Sequence, residues 1–297
     1  MRYLSCPIAA MTDAISLPRN VRVFDITLDS GMPLSLCVST CPTAGCSCRE
    51  ATIIGADDND KLRSQLEIVE NTLATTENAD TFEAAIGPNI LVFDLNIDAA
   101  LPLRVRCNDD ELYLSDPTVL AVVDRIDGEM LDTIGALWFF GKGLPNPESV
   151  HQPPASIKGW APQNAVAWEH AFLGCRHDMY LLDDRLYQAV DYYCVDPTCG
   201  CRDVSLEFYG CDITADTFIG AIDINAEGQG QPSDCVEETA LIQRLWSRFQ
   251  KRYPRYRTRF DARGIRMREF GELLTAHYAE THKPRVWVPT SRKRKKR

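Results

Sequence analysis

Apolar and polar residues alternate with a period close to two over 21–28, where Val21, Val23, Ile26 and Leu28 are separated by polar positions. That pattern predicts a half-buried strand, and Asp29-Ser30-Gly31 supplies the turn after it. Short β-like runs recur at 51–55, 90–97, 179–182, 186–193, 204–208 and 222–225. Residues 101–105 and 111–114 read as a hairpin around Asn108-Asp109-Asp110, and Asp183-Asp184 reads as a second turn. Helical spacing is found at 60–73, with Leu62, Leu66, Val69 and Leu73 on one side. Pro117 can open a helix running to about Phe139 and stopped by Gly141 or Gly143. An aromatic helix is expected over 163–173. Another is capped at Ser233-Asp234 and runs to about Tyr253. A last helix over 262–280 is expected to break or bend near Gly264 and Gly271.

These elements predict an α+β fold: two related β-rich halves with inserted helices, then a helical basic segment at the C-terminus. The expected divisions are 1–150, 151–232, 233–290 and a disordered tail at 291–297. The stretch 144–154, with four prolines, serves as the linker between halves. At 297 residues and 45% hydrophobic, the chain can build a core without disulfide staples. No apolar run approaches the roughly 18–20 residues that cross a bilayer, and the first residues lack a signal-peptide core. The expectation is a cytoplasmic, reducing location with no membrane partner. There, close-set cysteines favour a metal over disulfides.

The chain holds 12 cysteines, and six of them form a repeat. Cys41, Cys46 and Cys48 are spaced C-x4-C-x-C, and so are Cys194, Cys199 and Cys201. Each triad ends in Cys-Arg-acid and runs into a β-like stretch. Phe93-Asp94-Leu95-Asn96 also resembles Ile222-Asp223-Ile224-Asn225. This reads as an internal duplication. Thiolates bind Zn²⁺ strongly, and structural zinc takes four nitrogen or sulfur ligands. Two Zn²⁺ sites are expected, with buried thiols, disulfides or an iron–sulfur cluster as alternatives. Cys37 would complete the first site as C-x3-C-x4-C-x-C. In the second half the corresponding position is Val190, so the fourth ligand would come from His177, Cys175 or Cys211, the first two being favoured by their place before the loop. Cys6, Cys107 and Cys235 read as core thiols.

The segment Tyr193-Cys194-x-Asp196-Pro197-x-Cys199-x-Cys201, with Val204, Leu206 and Phe208 after it, resembles a stretch of uncharacterised bacterial cysteine-motif proteins. Some of those carry a SEC-C segment elsewhere, a signature this chain lacks. The resemblance spans about 35 residues from His177, and what it implies is a metal site without a particular activity.

No phosphate-binding glycine loop, dinucleotide fingerprint, H-E-x-x-H or G-x-S-x-G is present. Cys175-Arg176-His177-Asp178 invites a catalytic reading, but neighbouring residues do not normally converge as a triad does. A non-enzyme is therefore expected. The net charge of −10 conceals a split: residues 244–297 hold 18 Lys and Arg against 4 Asp and Glu. Arg244, Arg248, Lys251, Arg252, Arg255, Arg257 and Arg259 interleave with Trp246, Phe249, Tyr253, Tyr256 and Phe260, and Lys293 and Arg294 lie in a closing run of six charges. Such a surface suits sequence-independent binding to RNA or DNA, with arginine on phosphate and rings on bases. The competing expectation is docking on the protein's own acidic body or on an acidic protein partner. In a nucleated cell the final run also fits a nuclear-import signal.

Overall fold

The computed structural model describes residues 20–56, 91–107, 110–112, 117–144, 150–162, 164–172, 176–211, 216–233 and 239–282. The helix expected over 60–73, Cys6, Cys175, Cys235, Asp234 and the tail with Lys293 and Arg294 lie outside these residues.

The first half is a six-stranded antiparallel sheet in sequential order: β1 (Val21–Thr27), β2 (Pro33–Thr40), β3 (Glu50–Ala56), β4 (Leu91–Asn96), β5 (Leu101–Cys107) and β6 (Asp110–Leu112). Alternation decides which face is dry. Val38, Ile53 and Phe93 stand opposite one another across three strands, and all are buried. Helices α1 (Pro117–Val123) and α2 (Gly128–Gly141) cover that face with Val119, Val122, Leu131 and Ile134. The single helix expected from Pro117 is thus two. The chain turns at Asp124 to Asp127, and the Asp127 carboxylate accepts from Met130 N at 2.9 Å as the cap of α2.

The second half repeats this plan. Strand β7 (Ala165–Ala167) and a one-turn helix α3 (Trp168–Ala171) replace the expected helix over 163–173. Then come β8 (Asp178–Leu182), β9 (Arg185–Cys194), β10 (Val204–Cys211), β11 (Asp216–Ile224) and β12 (Gly230–Ser233), in the order β12-β11-β10-β9, with β7 and β8 both pairing β9. Asp183 and Asp184 both have positive φ, which closes the β8–β9 hairpin in the mirror-image turn that matches strand twist. Helices α4 (Thr239–Arg252) and α5 (Tyr256–Thr281) cover this sheet. Ile242, Leu245, Trp246, Phe249, Phe260, Met267, Phe270 and Leu274 share one core with Leu206, Phe208 and Ile222.

Helix α5 is continuous through both glycines. Gly271 is required by close approach: a Cβ there would lie 1.6 Å from the Val195 carbonyl oxygen. The glycine lets the loop after β9 rest directly on the helix. The repeat also reaches the sheet. Thr52 donates to Asp94 at 2.8 Å, and Ser205 donates to Asp223 at 3.0 Å, each pair in register four residues after the last cysteine of its triad.

A buried polar network joins the halves. Arg176 donates to the carbonyls of Ile97 and Asp98 and to Asp132, Asp178 and Tyr253. Arg259 of α5 pairs with Asp132 of α2 and Asp178 of β8, both at 3.0 Å. Arg263 meets Asp191 at 2.8 Å. The α+β class with a cysteine loop in each half is therefore the observed architecture. No helix among the described residues is long and apolar enough to cross a membrane.

Candidate metal centres

Each triad occupies a connection between neighbouring antiparallel strands, β2–β3 in the first half and β9–β10 in the second. The first cysteine stands at the end of the incoming strand, and the chain then turns. Cys46 N bonds to Thr43 O at 3.2 Å, and Cys199 N bonds to Asp196 O at 3.1 Å. Gly45 has φ of 77°, a left-handed conformation that costs glycine nothing. At the second loop, Asp196 accepts from both the backbone and the hydroxyl of Thr198 and so fixes the turn.

The sulfurs converge. Cys46 Sγ lies 3.1 Å from Cys48 Sγ, and Cys199 Sγ lies 3.0 Å from Cys201 Sγ. In each triad all three sulfurs fall within 4.8 Å of one another. Tetrahedral zinc–sulfur bonds of about 2.3 Å imply sulfurs roughly 3.8 Å apart, so the loops need only spread slightly to hold an ion. The donor sets fit: both clusters could hold a metal, and both consist of thiols rather than disulfides.

Protonation is uneven within each triad. Burial would raise the Cys41 thiol, but hydrogen bonds from Thr43 and from the neighbouring thiols outweigh it and bring it down to about 7. Burial, with hydrogen bonds to Cys46 and Cys41, pushes Cys48 up to about 12. In the second triad, a hydrogen bond from Cys201 lowers Cys199, whereas burial and the bonds to Cys199 and Cys194 push Cys201 up to about 12. Three packed sulfurs give up a first proton readily and resist losing the last until a cation compensates them.

Charged and aromatic side chains of the loops and of the covering helices brace both loops. Arg49 makes a two-bond pair with Asp98 at 3.1 and 2.9 Å, and its guanidinium lies 4.8 Å from the Trp138 ring. The Trp138 indole donates to Cys48 O, and Lys142 Nζ donates to Thr43 O at 3.0 Å. At the second loop, Arg202 makes the matching two-bond pair with Asp261 of α5, at 3.2 and 2.6 Å. Arg257 donates to Arg202 O at 2.8 Å, and Arg268 donates to Cys201 O at 3.5 Å. The Arg after each triad was visible in sequence as part of the repeat. Trp138, Lys142 and Arg268 were not, because nothing in their local pattern reveals that they arrive from a helix far along the chain.

Cys175 lies outside the described residues, and among those described neither Cys37, His177 nor Cys211 is grouped with a triad. Cys37 lies inside β2, buried and paired in register with Ile54, four extended residues before Cys41, and its sulfur is not part of the cluster. His177 sits at the junction of the halves. Its Nδ1 is 3.0 Å from Glu169 Oε2, and its backbone N–H donates to Asp98. The bond to Glu169 raises the imidazole above its usual pKa. Cys211 closes the far end of β10, about 24 Å of extended strand from Val204. Among the described residues each centre is a three-sulfur site.

The described basic residues divide: Arg252, Arg257 and Arg259 are partly buried, and Arg244, Arg248, Lys251 and Arg255 are exposed, most of them paired with a carboxylate. Arg244 pairs with Asp183 at 2.7 Å, Lys251 with Asp124 at 3.2 Å and Arg255 with Glu129 at 2.6 Å. Arg252 donates to Met179 O and Ala99 O, and Arg257 donates to Asn225 O. Trp246, Phe249, Tyr253 and Phe260 are buried against one another. Arg248 is exposed beside Arg244 and Lys251 at an open basic hollow on α4. Comparison with family models, curated proteins and solved structures gives no match.

Proposed function

We propose that this protein is a zinc-braced binding or adaptor module of a reducing, cytoplasmic compartment, with one Zn²⁺ held by each tri-cysteine loop. The observation that carries the reading is the duplicated sulfur geometry, with the same spacing, hairpin position and sulfur separations in both halves. Zinc would supply the positive charge that lets all three thiols of a loop ionise. Cys41, Cys46 and Cys48 hold one ion; Cys194, Cys199 and Cys201 hold the other. The loops then fix α2 and α5 against their sheets, and the surfaces so braced do the binding. Metal analysis of protein purified without added zinc tests this. Two zinc ions per chain with six protected thiols is the expected result, and a metal-free protein with all twelve thiols reactive overturns it.

The ion pairs of α4 and α5 with body carboxylates favour an internal role for most of the basic segment, and a protein partner over nucleic acid. The exposed trio Arg244, Arg248 and Lys251 supports a narrower nucleic-acid reading. Truncating at Gln243 would remove core residues, so the discriminating variant is R248E/K251E. Binding to a single-stranded RNA at about 150 mM salt that this variant abolishes would favour nucleic acid. No binding by the wild type favours the protein-partner reading.

A further inference from the structure

The two centres differ in which side chains surround them. At the first, Trp138 and Lys142 lie against the loop. At the second, Cys194 and Cys201 line a cavity of about 250 Å³ between the loop and α5. Arg202, Asp261, Gly264 and Arg268 share its wall. Gly264 lies within a 26-residue helix, where glycine costs about 1 kcal/mol relative to alanine. Packing does not require it: a Cβ there would meet only the Tyr193 ring at 3.8 Å and Arg268 at 4.0 Å, ordinary contacts. Gly271, two helical turns on, is required. The missing side chain at 264 therefore keeps space open in front of the second triad.

Charge in that space is specific. Arg202 and Arg257 are engaged with Asp261 and with backbone carbonyls. Arg268 makes one long bond, to Cys201 O at 3.5 Å, its single hydrogen bond among the described residues. A guanidinium so placed can take a carboxylate through two parallel N–H bonds.

We propose that the second centre is an exchangeable three-sulfur metal site whose fourth ligand is a small organic anion admitted through this cavity. Arg268 clamps the anion's carboxylate while a donor atom of the same molecule reaches the metal. The volume suits a molecule of about ten non-hydrogen atoms or fewer. At the first centre the neighbouring cations, Arg49 and Lys142, are engaged with Asp98 and Thr43 O and none is placed to clamp a carboxylate, so that centre takes no such ligand. This inference rests on the metal reading above.

The test uses the full chain loaded with Co²⁺, whose visible absorption reports its ligands. Mercaptoacetate, a thiol carrying a carboxylate, is the probe. C48S leaves only the second centre, and C201S leaves only the first; circular dichroism checks that both fold. The expected result is a saturable spectral change in C48S and none in C201S. R268Q in the C48S background should weaken the probe at least tenfold, and G264L should block it while cobalt stays bound. An equal response at both centres, or cobalt spectra unchanged by the probe, overturns the inference and leaves the metal reading standing. Failure of the folded protein to take up cobalt overturns both. A D203N change that alters the cobalt spectrum before any probe is added would make Asp203 the fourth ligand, which also overturns it.

Discussion

At the scale of single residues, the uneven thiols define what metal binding must displace. Cys41 comes down to about 7, so at pH 8 most of it is already thiolate. Cys48 and Cys201 are each pushed up to about 12 and keep their protons there. Zinc must expel at least those two, one per centre. Calorimetric titration of apo-protein in buffers of different ionisation heat should therefore show at least one proton released per zinc at pH 8. Affinity should rise with pH across the neutral range. Release of no proton would mean that zinc is not binding these thiols. The six repeated cysteines were legible because copying three cysteines with an Arg-acid flank leaves a pattern that survives without a structure. Cys37 lies inside β2, a strand that the alternation did not reveal, and an extended strand separates residues by about 3.3 Å per step. Cys211, expected to fold back after its strand, instead ends β10 itself. His177 is held by Glu169 and Asp98 instead, contacts between segments that are not adjacent in sequence.

At the scale of elements, period-two alternation located most of the strands, because each sheet buries one face and a slip of one residue would expose it, but it did not register β2, β7 or β12. Helix boundaries were less legible. The break before Gly128 depends on the Asp127 cap and on the Tyr253 ring, which leaves no room for a Cβ at 128. The continuity of α5 also comes from tertiary contact, since a glycine that looks like a breaker can be a contact point. The two glycines of α5 should consequently respond in opposite ways. Gly271→Ala drives a methyl group into the Val195 carbonyl and should cost roughly 1–3 kcal/mol, an overpacking penalty. Gly264→Ala meets no close atom and should stabilise the protein by up to about 1 kcal/mol. Urea unfolding of the two variants checks this; destabilisation of similar size at both positions would show that α5 is not seated as described.

At the scale of the whole molecule, part of the charge split is met internally among the described residues. Arg259 and Arg263 of α5 pair with acids of both halves, Asp132, Asp178 and Asp191, whereas Arg244, Arg248, Lys251 and Arg255 stay exposed. Sequence revealed the imbalance but could not reveal its partners, because Asp132, Asp178 and Asp191 sit in ordinary-looking helix and strand contexts. Asp178 is the most exposed to loss of this buried network in energetic terms. Burial would raise its carboxyl, but Arg176, Arg259 and Arg263 outweigh burial and hold it far below the usual carboxylate range. A folded-state pKa depressed in this way stabilises the protein at pH values above the unfolded value near 3.8, and the contribution is lost as pH falls through and below that value. Asp178→Asn leaves Arg176 and Arg259 short of a charge partner inside the protein, and breaking a buried pair on one side costs about 3–5 kcal/mol. The variant should lose about that much stability at pH 7. The gap should narrow as both proteins are taken from pH 5 towards pH 2, where the wild-type carboxylate progressively loses its advantage. Unfolding free energies measured across that range decide it. A gap that stays constant with pH would mean that the Asp178 charge is not what holds this buried network together.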